Sequence, residues 1–159
     1  MNKSILKIII YSSIFLGIVS GLLTIVPYAG EIVFWLLLTL AAPVVIVFFT
    51  KQNVLEIQTV RQSVVIGALI GFVSFLVFCA VYIPAVILLA RVFNYSSNYG
   101  VSMFVSHSPF VIMFMISVFM SVLSATINAM SGFLAYYMIE FNKSLNSPKN
   151  QDDDTHFKF

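Results

Sequence analysis

Charge is what this chain has least of. Only 9% of its 159 residues are Asp, Glu, Lys or Arg, while 60% are hydrophobic. A soluble domain carries about 25% charged residues to coat its surface, so a water-soluble fold is excluded. The net charge of +2 leaves no basic face to follow a phosphate backbone, and no nucleic-acid partner is expected. A lone cysteine, Cys79, excludes an internal disulfide framework. Metal ligands are equally scarce: the two histidines, His107 and His156, fall on opposite sides of the predicted membrane, far from Cys79. Gly-x-Ser-x-Gly, His-Glu-x-x-His and a Gly-rich phosphate loop are absent as well. The residues therefore predict no catalytic group, no cofactor and no metal.

What the sequence has instead is long apolar runs, with a mean hydropathy of +1.03. A helix crosses the hydrocarbon core with about 20 mostly apolar residues. Four stretches qualify, at about 5–26, 32–50, 64–93 and 110–139. Runs such as Ile8-Ile9-Ile10 and Trp35-Leu36-Leu37-Leu38 do not alternate as membrane β-strands do. The first run is too long for the apolar part of a signal peptide and has a poor cleavage site at Pro27-Tyr28-Ala29, so it reads as a retained helix. Seven of the eight basic residues (Lys3, Lys7, Lys51, Arg61, Lys143, Lys149 and Lys158) fall on one side of this arrangement, and only Arg91 on the other. Basic loops resist translocation. The predicted fold is thus an all-α integral membrane bundle of four transmembrane helices with both termini cytoplasmic, in the cytoplasmic membrane if the source is bacterial. It forms one domain, 1–141, followed by a short polar tail, 142–159, expected to be disordered.

The third and fourth runs exceed what the bilayer requires, which predicts either tilt or outer ends that project beyond it. Pro43 and Pro84 each remove a backbone donor, so kinks are expected in the second and third spans. The second loop, with Val54, Leu55, Ile57 and Val60, reads as an interfacial turn or an inward extension of the third span. The external loop 94–109 is the longest. Its Tyr95, Tyr99 and Phe104 suit the headgroup zone, and Asn94-Tyr95-Ser96 matches a glycosylation acceptor.

Inside the spans two features stand out. Ser13, Gly17 and Gly21 lie on one face of the first helix, and Ser63, Gly67 and Gly71 on one face of the third. Small residues one turn apart let backbones approach closely, which makes these six the candidate packing seams, within the bundle or between copies. The fourth span carries Ser117, Ser121, Ser124, Asn128 and Ser131 at spacings of 4, 3, 4 and 3, a single polar stripe with Ala125, Ala129 and Gly132 beside it. Lipid cannot satisfy these groups, so the stripe reads as a hydrogen-bonded clamp between helices or, alternatively, as the lining of a path for a small polar solute. No ionisable residue falls near mid-membrane, since Glu31, Glu56, Arg91 and Glu140 lie at or beyond span ends. Proton relays and coupled pumps use such groups. The expected function is therefore association through helices, as a homo-oligomer or an accessory subunit, with the bilayer, itself or another membrane protein as partner. The alternative is a small transporter or channel component. The shared Ser-Gly-Gly triplet suggests a duplication, but the two triplets sit at different depths, which argues against it.

Overall fold

A computed structural model describes residues 3–26, 29–52, 55, 59–93, 103 and 107–146. Among them the chain forms four long helices: α1 (Lys3–Leu23), α2 (Ala29–Lys51), α3 (Val60–Val92) and α4 (Phe110–Asn146). All four are long and apolar enough to cross a membrane. The described part of the chain is therefore a bundle of four long helices, each able to cross a membrane.

Each boundary has a local cause. At the end of α1 the Thr24 N–H and hydroxyl both donate to the Ser20 carbonyl, at 3.0 and 2.7 Å. Gly30 then brings the chain back so tightly that a Cβ there would sit 2.5 Å from the Thr24 carbonyl oxygen. Thr59 caps α3 from extended backbone, its hydroxyl accepting from the Gln62 N–H, as N-cap threonines do. The Pro109 carbonyl accepts the first N–H groups of α4, from Ile112 and Met113. Glu31 in the first turn of α2 and Lys51, Arg91 and Lys143 in the last turns of α2, α3 and α4 complement the helix dipoles.

Two boundaries differ from the sequence reading. Helix α3 starts at Val60, four residues before the apolar run, because the Thr59 cap recruits polar residues into its first turn. Helix α4 continues through 142–146, into the stretch read as tail. There Ser144 donates back to the Phe141 carbonyl at 2.7 Å, and Lys143 suits the carboxyl end. In the second loop Leu55 is buried, with its N–H on the Phe49 carbonyl at 3.2 Å. Val54, Glu56 and Ile57 lie outside the described residues, as do Pro27, Tyr28, residues 94–102 and 104–106, and the tail from Ser147 on.

Helix α3 is the centre of the bundle. It packs along α4 most extensively, along α1 on another side, and against α2, which also touches α1 and α4. Gly17 and Gly21 of α1 meet Ser74–Val77 and Phe78–Val81 of α3, so these two helices run parallel. Ser63, Gly67 and Gly71 meet Gly132, Asn128 and Ser124 in descending order, so α4 runs antiparallel to α3. The start of α1 and the end of α4 consequently share one end of the bundle. The core between α2 and α3 is aromatic: the Phe34 ring packs edge-on to Phe75 at 5.7 Å and Phe78 at 6.2 Å, and Phe78 stacks on Tyr82 at 5.4 Å. Such pairs add to the dispersion that holds helices together in lipid.

Candidate functional site at the α2–α3–α4 junction

The polar stripe and the glycines of α3 converge on one place. Gly67, Gly71 and Gly132 bring the α3 and α4 backbones into contact. A Cβ on Gly71 would lie 2.6 Å from the Ser124 carbonyl oxygen and 2.7 Å from Asn128 Cβ, and one on Gly132 would lie 2.7 Å from the Ser63 carbonyl oxygen. A Cβ on Gly67 would strike the Asn128 carbonyl. Ser63 closes this contact by donating its hydroxyl to the Gly132 carbonyl at 2.7 Å. Gly132 is thus as much a part of the seam as the two glycines opposite it.

The other candidate seam lies between α1 and α3. A Cβ on Gly17 would meet the Ser74 carbonyl and the Val77 side chain; one on Gly21 would come 3.1 Å from Val81 and 3.3 Å from the Phe78 carbonyl oxygen. Ser13, fully buried, donates to Ile9 of its own helix at 2.8 Å, so its small size rather than a cross-helix bond serves the seam. All six candidate packing residues therefore face helices of the same chain.

Within the stripe the five side chains divide by what they bond. Ser117 and Ser121 donate to carbonyls one turn back on α4, Met113 at 2.8 Å and Ser117 at 2.7 Å. Asn128 and Ser131 reach across to α2. The Asn128 Oδ1 accepts from the Ala42 N–H at 2.8 Å, while Nδ2 donates to the Leu38 carbonyl at 2.9 Å and the Ser124 carbonyl at 3.0 Å. Ser124 Oγ lies a further 3.3 Å from that nitrogen. Leu38 C=O and Ala42 N–H are the two groups that pair with each other in an unbroken helix. Asn128 bonds both members of that rung from the neighbouring helix.

Pro43 explains why the clamp sits there. A proline at 43 has no N–H for the Thr39 carbonyl, one turn back, and its ring crowds that carbonyl outward. Ser131 Oγ donates to the Thr39 oxygen at 2.8 Å. In lipid an unpaired carbonyl costs several kcal/mol, and neighbouring helices supply the missing donor. Ser131 thus supplies the donor that Pro43 removes, one turn along α4 from the Asn128 contacts. Sequence reasoning treated Pro43 and the stripe as separate features; the signal that joins them is that a proline at i leaves the carbonyl at i−4 in need of a partner on another helix.

Asn128 is fully buried, whereas Glu31, Arg91 and Glu140 are exposed. Tyr136 hydrogen-bonds Glu140 one turn on. No group of three His, Cys, Asp or Glu comes together among the described residues. The Cys79 thiol lies in hydrogen-bonding reach of Ser117 across the α3–α4 contact. His107 has its Nδ1 2.9 Å from the Met103 carbonyl. No protein family, curated protein or solved structure matches this chain.

Proposed function

We propose that the chain is a multi-pass membrane protein without catalytic machinery that acts by helix association, as a homo-oligomer or as an accessory subunit of another membrane protein. Both chain ends would face the cytoplasm, on the strength of the seven basic residues at that end. One observation carries the reading. The strongest polar group in the apolar interior, Asn128, has its amide nitrogen and its oxygen both hydrogen-bonded, to the α2 backbone and to Ser124, with no exposed surface left. Among the described residues, exposed charges lie within about two turns of a helix end. A path for a polar solute would instead turn Asn128 and Ser124 toward an opening, so the transport alternative has less support.

Because the glycine faces are occupied inside the chain, association must use another surface. The outer face of α4 offers Met130, Leu134 and Met138, exposed at 71%, 61% and 72%. The test is a Leu134→Cys variant in a Cys79→Ala background, cross-linked in native membranes, with subunits counted by photobleaching in native-lipid discs. The expected result is a cross-linked dimer or a stoichiometric complex with one partner. Single photobleaching steps with neither product would remove the association reading. Solute flux into liposomes that disappears with Asn128→Leu would replace it with transport.

A further inference from the structure

Helices α3 and α4 are longer than α1 and α2; the excess of α3 falls at the end where α1 turns into α2, and that of α4 is shared between the two ends. At about 1.5 Å per residue, α1 and α2 are about 32 and 35 Å long, and α3 and α4 about 50 and 56 Å. The contacts give the register. Gly21, two residues before the end of α1, sits against Val81, and Gly30, at the start of α2, sits against Thr24. Val86 packs on Met113, beyond both. From Ile83 to Val92 α3 therefore stands past the end of α1 by about 15 Å, and from Phe110 to about Ile116 α4 stands past it by about 10 Å. Pro84, exposed, marks the level of the step on α3.

This overhang is apolar nearly all round. Phe110, Val111, Ile112, Phe114, Met115 and Ile116 are exposed between 42% and 76%. At about 100° per residue they point in directions spanning about 240° of the circumference, the gap being the buried Met113. Leu88 and Val92 on α3 are exposed at 57% and 65%. A protein partner covers a stripe of about 100° on one helix. Apolar side chains over more than twice that arc fit a surrounding solvent of acyl chains. Arg91, in the last turn of α3, is placed where a cation at the hydrocarbon boundary can reach the headgroups. Glu31, exposed in the first turn of α2, demands a polar boundary about 15 Å lower.

We propose that the α3–α4 overhang is immersed in lipid acyl chains and that the adjoining leaflet thins from the overhang down to the α1–α2 turn. The protein then presents two hydrophobic thicknesses to one bilayer. Mismatch of this kind is relieved by tilt and by local deformation of the lipid.

The test uses the full chain in dioleoylphosphatidylcholine vesicles, with nitroxides on Val111→Cys, Leu88→Cys and Val26→Cys in the Cys79→Ala background. All three sites are exposed or at a helix end, so the labels leave the core intact. Collisions with oxygen report hydrocarbon, and collisions with a water-soluble nickel chelate report the aqueous phase. The expected result is an oxygen-to-nickel ratio several-fold higher at Val111 and Leu88 than at Val26. Nickel access at Val111 and Leu88 would place the overhang in water, and shielding from both reagents would place protein over it; either overturns the proposal. Oxygen dominance at Val26 as well would show an unthinned leaflet and remove the step.

Discussion

Helix α3 meets α1 and α4 through glycines in both cases, yet the two contacts are built differently. Against α1 the glycines belong to the partner, and α3 meets them with Val77 and Val81 and with the carbonyls of Ser74 and Phe78. That contact is apolar packing in its outer part. Against α4 both helices contribute glycines, the backbones themselves touch, and the contact is joined by Ser63 to Gly132 and extended to α2 by Asn128 and Ser131. The comparison separates two uses of a small residue in lipid. A gap can receive a knob, which needs only shape. A gap can also bring main-chain carbonyls within reach of a neighbour's side chains, which needs polar groups in register as well. The second fixes position, because hydrogen bonds lose strength steeply with misalignment.

The largest difference between the contacts should appear on filling the gaps. Gly71→Leu drives a side chain into the Ser124 carbonyl and Asn128, neither of which can move without opening the α2 clamp. Overpacking of a core costs about 1–3 kcal/mol and sometimes more, and here the upper end or beyond is expected, with loss of the folded form in detergent–SDS unfolding curves. Gly17→Leu collides with Val77 and the Ser74 carbonyl, but α1 packs mainly on α3 and α2 and can shift outward. It should cost less, about 1–2 kcal/mol, and leave α2–α4 protected from proteolysis while α1 becomes cleavable. Equal losses for the two variants would mean that the contacts are not mechanically distinct.

Much of this was legible from residue order. Apolar run lengths gave four helices because nothing else satisfies a backbone in hydrocarbon, and Gly17, Gly21, Gly67 and Gly71 marked faces of close approach by their spacing alone. The stripe on α4 was visible as a face for the same reason. Its division was not. Ser117, Ser121 and Ser131 are chemically alike, and only the position of Pro43 on another helix decides that Ser131 reaches across while the other two bond their own turn. Nor did the run lengths show where the excess of α3 and α4 lies, since that depends on the register with α1. The different depths of the two glycine triplets, read as evidence against duplication, correspond to α3 contacting α4 and α1 most closely at different heights.

A smaller effect tests the clamp itself. Asn128→Ala removes the donor to Leu38 and the acceptor for Ala42 while preserving the glycine contact. Cross-helix hydrogen bonds in membranes average about 0.6 kcal/mol and reach about 1.7. With two such bonds to one helix, the variant should lose about 1–2 kcal/mol, read as a shift of the unfolding midpoint in SDS. A loss below a few tenths would show that the two bonds contribute nothing and that Asn128 is only a spacer.

The smallest effect distinguishes repair from ordinary attraction. Ser131 bonds the Thr39 carbonyl, and that carbonyl lacks a helical donor because residue 43 is proline. Pro43→Ala returns an N–H to it. If the bond exists to satisfy what proline removed, Ser131→Ala should cost about 0.6 kcal/mol in the native background and almost nothing once residue 43 can donate. The coupling between the two substitutions is then nearly the whole effect of Ser131→Ala, which a double-mutant cycle measures directly. Ser63, which donates to Gly132 at the far side of the junction, supplies the control: its replacement by alanine should cost the same whether residue 43 is proline or alanine. Additive losses at Ser131 would separate the proline from the stripe and leave the junction as two unrelated contacts that happen to adjoin.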